Sequence, residues 1–234
     1  MVEQVLALKN LHAWYGGSHA LQGVSLGLRS GTTVAVIGRN GAGKSTLLKA
    51  IAGLIGKRVG SVILEGTPID HLPPNIRAQL GLAYIPEGRG IFRSLTVLEN
   101  LTVSARMQPP GWNLERVFSR FPRLETRRHH GGGILSGGEQ QMLSIARALM
   151  TNSKVLLFDE PTEGLAPNIV SDLATLFEEL MREGFSIILV EQNISFVEKM
   201  SSEIFVLGKG QIQWSGPTRT FSREDEVIYN WLGL

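Results

Sequence analysis

Nine consecutive residues, Gly38-Arg39-Asn40-Gly41-Ala42-Gly43-Lys44-Ser45-Thr46, fit the pattern G-x-x-x-x-G-K-[ST]. Glycines at this spacing let the backbone approach phosphate oxygens, so that successive N–H groups and the positive end of a following helix face an anion. Lys44 is the residue to reach the terminal phosphates of a triphosphate, and the Ser45 hydroxyl the one to sit on Mg²⁺. A second chemical stretch, Val155-Leu156-Leu157-Phe158-Asp159-Glu160, ends an apolar run in two carboxylates. Asp159 suits metal binding, and Glu160 is placed to orient or deprotonate an attacking water. A third, Leu135-Ser136-Gly137-Gly138-Glu139-Gln140-Gln141, has Ser136 as a helix N-cap with Glu139 three residues on, the spacing of a capping box. Its glycine pair, Gly137 and Gly138, makes another anion-binding helix start.

Elements on either side must hold these groups. Val34-Ala35-Val36-Ile37 reads as a strand running into the glycine loop, and Leu47-Leu48-Lys49-Ala50-Ile51 as the helix leaving it. Val155–Phe158 and Ser186–Val190 read as buried parallel strands, each followed by polar residues, Asp159-Glu160 and Glu191-Gln192-Asn193. In open α/β sheets this carboxyl edge is where ligands bind.

Earlier in the chain, Val5 to Tyr15, Val24–Leu28 and Ser61–Leu64 have strand-like spacing and predict an antiparallel β element beside the α/β core. Pro73-Pro74 opens a short helix through Leu80, and Leu82–Ile85 reads as a buried strand leading to Pro86-Glu87-Gly88-Arg89-Gly90. From Thr96 to about Arg127 the apolar spacing is helical, broken at Pro109-Pro110-Gly111, which predicts a helical subdomain spanning about 90–150. Its arginines, Arg116, Arg120, Arg123, Arg127 and Arg128, read as a solvated face rather than a nucleic-acid surface. His129-His130 reads as exposed loop, and Gly131-Gly132-Gly133 as a flexible lead into Leu135. A helix from Pro167 to about Arg182, another through Met200, short strands at Ile204–Leu207 and Gln211–Trp214, and a terminal helix complete the expectation.

The 234 residues suffice for one nucleotide-binding unit, so a single domain over 1–234 is expected. With 43% hydrophobic and 19% charged residues the composition is that of an ordinary globular protein, and a formal net charge of +2 does not argue for nucleic acid. No apolar run reaches the length that crosses a bilayer, and no signal segment opens the chain, so a membrane role is expected to come through a partner. The absence of cysteine excludes disulfides, thiolate zinc sites and cysteine nucleophiles.

Taken in order, Tyr15, the glycine loop, the segment Ile85 to Arg89, the Leu135 segment, the Asp159 strand and Leu189-Val190-Glu191-Gln192-Asn193 resemble the ATPase subunit of ABC transporters along essentially the whole chain. Glu163-Gly164-Leu165-Ala166-Pro167 and Val190-Glu191-Gln192-Asn193 further resemble the second ATPase subunit of branched-chain amino-acid importers. The resemblance implies a P-loop α/β fold of ABC type, with a mixed core sheet, an N-terminal antiparallel β element and a helical subdomain. It implies ATP and Mg²⁺ as cofactors, with Tyr15 stacking adenine, Gly38 to Thr46 on the phosphates, and Ser45, Asp159 and Glu87 on the metal. Glu160, Gln192 and Glu87 become the catalytic candidates. Ser136 to Glu139, in the family signature, would complete a site on a second ATPase subunit, identical or, as the likeness favours, related. Permease subunits in the membrane would dock on the helical subdomain at the cytoplasmic face, with a solute-binding protein acting indirectly and no nucleic acid involved. Glu87 and Gln192 depart from the glutamine and histidine that most of the superfamily carries, a change shared by the importer subfamily. The competing expectations are import of urea or short amides, a non-transport soluble ABC ATPase, and a nucleotide switch with little turnover.

Overall fold

The computed structural model describes residues 4–106 and 111–233. Pro109 and Pro110, expected to break the helical stretch, lie outside the described residues.

Two sheets organise the chain. Strands β1 (Gln4–Tyr15), β2 (Ser18–Arg29), β4 (Lys57–Leu64) and β5 (Thr67–Pro68) form an antiparallel sheet in the order β2-β1-β4-β5. Strands β3 (Thr33–Ile37), β6 (Leu82–Ile85), β7 (Val155–Asp159), β8 (Ser186–Glu191), β9 (Glu203–Gly208) and β10 (Gln211–Pro217) form the second, in the order β10-β9-β3-β8-β7-β6. All pairs in it are parallel except β10 with β9, so the core sheet is mixed as expected.

The helices are α1 (Lys44–Ile51), α2 (Pro74–Gln79), α3 (Val97–Thr102), α4 (Leu114–Arg120), α5 (Pro122–Thr126), α6 (Gly137–Leu149), α7 (Pro167–Arg182), α8 (Ile194–Met200) and α9 (Glu226–Leu232). None is long and apolar enough to cross a membrane among the described residues.

The period of two in the central strands divides their side chains between two apolar layers. Val34, Val36, Val155, Leu157, Ile188 and Val190 pack with α1 and the antiparallel sheet. Ala35, Ile37, Leu156, Phe158, Ile187 and Leu189 pack under α3, α6, α7 and α8. On that second face Phe158, Phe177 and Phe196 form an aromatic row with centroids 4.6 and 5.5 Å apart. Strands buried on both faces explain why β3, β7 and β8 read as unbroken apolar runs.

One expectation fails here. Gly131–Gly133 is not a flexible lead: Gly132 N–H donates to Leu95 O at 2.8 Å, Gly133 N–H donates to Arg93 O at 3.0 Å, and residues 132–134 form a 3₁₀ turn. The arginine face is solvated at Arg123 and Arg128 as expected, and its other members also make surface ion pairs. Arg116 and Arg120, one turn apart on α4, pair with Glu183, the C-cap of α7, and Glu179, four residues earlier, and Arg127 pairs with Glu139 at 2.9 Å. Matching i,i+4 rows on two helices make these pairs, but their separation in sequence hides them from local reading. His129 and His130 are exposed, as expected.

Candidate functional site at the carboxyl edge of the core sheet

Strand β3 carries the glycine loop to the end of the sheet and α1 turns back from it. Gly41 and Gly43 have φ of 79° and 106°, left-handed values open to glycine. Gly38 is excluded from having a side chain, since a Cβ there would meet Leu207 O at 2.2 Å. Gly43 is the N-cap of α1, with no side-chain cap and no acidic residue in the first turn. The N-terminal N–H groups and the positive end of the helix dipole are thus left to an anion.

Lys44 is buried, and its ammonium donates to Gly38 O at 2.9 Å and Arg39 O at 3.4 Å. It also lies 3.1 Å from Glu160 Oε1.

Strand alternation decides where Asp159 points. Leu157 packs on the α1 side of β7, and Asp159, two residues on, faces the same way and accepts from Ser45 Oγ at 2.9 Å. Tyr84 of β6 donates its hydroxyl to the other oxygen at 2.8 Å. Burial raises the Asp159 carboxyl above its ordinary value, against the pull of these two hydrogen bonds. Burial, then the Asp159 charge, raises the Tyr84 phenol as well. Sequence reading treated Tyr84 only as part of a buried strand, since nothing local signals that its hydroxyl reaches a carboxylate on the next strand.

Regular pleating would send Glu160 to the opposite face from Asp159. Instead Glu160 adopts φ 48° and leaves the strand, so both carboxylates reach one site. Gln192, just beyond β8, donates its side-chain amide to Glu160 Oε2 at 2.6 Å. Glu87 faces the same space from the loop after β6. Burial, then a hydrogen bond and charge from Glu163 and the charge of Glu160, push its carboxyl up, with Lys49 opposing.

Lys44, Ser45, Glu87, Glu160 and Gln192 line a cavity of about 640 Å³, a size that accommodates a nucleotide, while Asp159, 2% exposed, is outside its lining residues and meets them through the Ser45 hydroxyl. Its floor is cationic and amide-rich at Lys44 and the α1 terminus, while Glu87, Glu160 and Glu163 bring carboxylates to it. That pairing suits a polyphosphate with a hard divalent cation, for which Ser45, Asp159 and Glu87 are the oxygen donors at hand. Opposite the loop the wall is built from Ser18, His19, Ala20 and Gln22 of β2 and Lys209 and Gly210 of the β9–β10 turn, none of which the sequence singled out. His19 is held in a stack of rings, 4.4 Å from Trp14 and 5.2 Å from His12. Tyr15 stands nearby at the β1–β2 hairpin, 49% exposed and outside the residues that line the cavity. Arg39 lines a neighbouring cavity against Trp231 instead.

Ser136 to Glu139 are not among the residues that line the phosphate cavity. Ser136 caps α6 by the expected capping box, accepting from Glu139 N–H at 3.3 Å while Glu139 Oε2 accepts from Ser136 N–H at 2.9 Å. Burial raises the Glu139 carboxyl, but the Ser136 hydrogen bonds and the charges of Arg127 and Arg123 outweigh it and hold it below its ordinary value. Ser136, Gly138 and Glu139 line a separate cavity of about 240 Å³ with Arg120, Met142 and Ile169.

The chain is similar to known proteins along most of its length. A family model described as "ABC transporter" matches residues 21–163. The high-affinity branched-chain amino acid transport ATP-binding protein BraG of Pseudomonas aeruginosa is 40% identical over 211 residues, 89% of this chain and 91% of that protein. The probable branched-chain amino acid transport ATP-binding protein LivF of Archaeoglobus fulgidus is 36% identical over 98% of this chain and 99% of its own. The lipopolysaccharide export ATP-binding protein LptB of Escherichia coli is 31% identical over 97% of each. Among solved structures, an ATP-binding subunit of an ABC transporter superposes with a TM-score of 0.85 at 28% identity, over 98% of this chain and all of that one. A dimeric ATP-binding cassette in a post-hydrolysis state, bound to ADP and Pi, gives 0.78 at 25% identity, over 92% of this chain and all of that one.

Proposed function

This chain belongs to the ABC transporter family, and from that membership we propose that it powers import of branched-chain amino acids. Members of the family are ATPases that bind ATP, dimerise and work with membrane permease subunits. The observation that carries the site reading is the meeting of Lys44, Ser45, Asp159, Glu160 and Gln192 at the ends of three strands in register, with Ile37 opposite Glu191 and Asp159 opposite Val190.

In this reading the amides of Gly41 to Ser45 and the Lys44 ammonium bind the triphosphate, and Lys44 exchanges its Glu160 partner for phosphate oxygens. Ser45 and Asp159, with Glu87 at the edge, would hold Mg²⁺, which would supply charge neutralisation for the transferring phosphoryl group. Glu160 is then free to take a proton from the attacking water. Gln192 holds the Glu160 carboxylate by its amide; unlike imidazole it does not accept a proton, which leaves general-base work to Glu160. His19 bounds the space for the base, with Tyr15 exposed beside it at the β1–β2 hairpin.

The helical stretch of about 90–150 is the docking unit for the permease, at the cytoplasmic face of the membrane, and the dimer partner is a related ATPase subunit. The solute class rests on likeness to the 40% identical relative, and lipopolysaccharide export, named for relatives at 31%, is the outcome to test against. Membrane subunits that co-purify with the chain should be reconstituted with it in proteoliposomes together with their solute-binding protein. ATP-dependent uptake of leucine, isoleucine or valine is expected; ATP hydrolysis unaffected by all three would overturn the solute assignment.

A further inference from the structure

Glu191 is a buried carboxylate that this mechanism leaves unused. It is 2% exposed, and none of the described ion pairs includes it. As the last residue of β8 it follows Val190, which faces α1, so its own side chain turns to the opposite side of the sheet. There it accepts from three backbone amides. Thr162 N–H donates to Oε1 at 2.8 Å, and Gln192 and Asn193 N–H donate to Oε2 at 2.9 and 3.0 Å.

These donors come from two different loops, and each loop carries one half of the Glu160–Gln192 pair. Thr162 belongs to the turn that begins at Glu160, closed by Glu163 N–H donating to Glu160 O at 3.1 Å. Gln192 belongs to the loop after β8, where Asn193 goes on to cap α8 by accepting from Phe196 N–H at 3.1 Å. One carboxylate thus bridges the turn after β7 to the turn after β8. Each of its oxygens is an acceptor with no proton to give, which is what backbone donors on both sides require.

We infer that Glu191 is a positioning residue for ATP hydrolysis, holding the turn after β7 and the turn after β8 in the register at which Gln192 grips Glu160. The inference rests on the catalytic reading of Glu160 given above. An amide in place of the carboxylate has one oxygen where two are used, and its NH₂ would face a backbone N–H. Glu191→Gln therefore loses the bridge on one side while keeping size and shape. Because the phosphate loop and Lys44 do not depend on this bridge, ATP affinity should be spared while the chemical step slows.

The test uses the full-length chain assembled with its co-purified membrane subunits, comparing wild type, Glu191→Gln, Glu160→Gln and the double variant in ATP binding and single-turnover hydrolysis. Glu191→Gln should lower kcat by roughly 10- to 100-fold, the scale of a small misplacement of a reacting group, with Kd and KM for ATP within about twofold of wild type. In the Glu160→Gln background the same substitution should have little further effect on the rate, since the group it positions is gone. A Glu191→Gln rate within about twofold of wild type overturns the inference while leaving the Glu160 reading intact. So does a parallel loss of ATP affinity, or a full additive loss in the double variant, either of which marks a merely structural carboxylate. Hydrolysis by Glu160→Gln at the parent rate overturns both readings together.

Discussion

Lys44 has two anionic partners to choose between, the Glu160 carboxylate 3.1 Å away and the triphosphate that the loop is built to take. Glu160→Gln removes the first. Without nucleotide the buried ammonium keeps only neutral acceptors, the Gly38 and Arg39 carbonyls and the new amide oxygen, so thermal stability should fall, by about 2 kcal/mol, less than breaking a fully enclosed pair. MgATP should restore it. Hydrolysis should drop by about 10² to 10⁴, or roughly 3 to 5 kcal/mol of barrier. Asp159→Asn should behave differently: an amide now meets the Ser45 and Tyr84 hydroxyls, and Mg²⁺-dependent ATP binding should weaken. Isothermal titration with and without Mg²⁺ separates the two, and a gain in ATP affinity on adding Mg²⁺ as large in Asp159→Asn as in wild type would break the proposed division of labour. Glu87 makes a pH prediction. Its pKa is raised above the ordinary 4.5, so its contribution to stability is fully present below about that pH and is lost as pH rises through the folded value. Glu87→Gln should unfold at a higher temperature than wild type at pH 7 to 8, with the gap closing as pH falls toward 4.5. Thermal unfolding across that range reads it directly, and a gap that grows on acidification would refute the account of burial and neighbouring carboxylates.

Among the elements, α1 has its two ends finished by unlike means. Its N-terminus is left open for an anion, whereas its C-terminus is closed by Arg77, a fully buried arginine of α2. Arg77 donates to Ala50 O at 3.2 Å and Ile51 O at 2.6 Å, and braces the loop before α2 through Leu72 O at 3.0 Å and Asp70 O at 2.8 Å. Burial and then the charge of Arg58 pull its pKa down to about 10, against the help of Asp70. Arg77→Met keeps an apolar stem but strands these carbonyls away from water. The expected loss is about 3 kcal/mol or more, read by denaturant unfolding. A loss under about 1 kcal/mol would mean the carbonyls find water. Since α1 carries Lys44 and Ser45, ATP affinity should fall with it.

At the scale of the molecule, two separate cavities of one chain are half-sites in the proposed reading. The phosphate cavity and the Ser136–Glu139 cavity have no lining residue in common. In that reading the site is shared across a dimer, with the α6 N-terminus of one subunit offered to the phosphates on the other. Ser136→Arg should therefore leave ATP binding by the isolated chain within about twofold of wild type while blocking the ATP-dependent dimer. Size-exclusion chromatography in the Glu160→Gln background with MgATP reads the dimer. Loss of ATP affinity in the Ser136→Arg monomer would end the shared-site account.

Local patterns in the sequence determined much of this protein. Unbroken apolar runs marked β3, β7 and β8 because strands covered on both faces leave no polar period, and the glycine loop was legible because phosphate binding needs contiguous amides. The α6 capping box was legible for the same reason, its partners standing three residues apart. Contacts whose two halves are far apart in the chain were not. Tyr84 meets Asp159 only because β6 pairs with β7, Arg116 and Arg120 meet Glu183 and Glu179 only because α4 lies along α7, and His19 reaches the cavity only because the antiparallel sheet covers that face. Glu191 shows the limit most clearly. In sequence it is one more polar residue after an apolar run, and its place as a bridge between two loops follows from a strand alternation and a parallel register that only the folded sheet supplies.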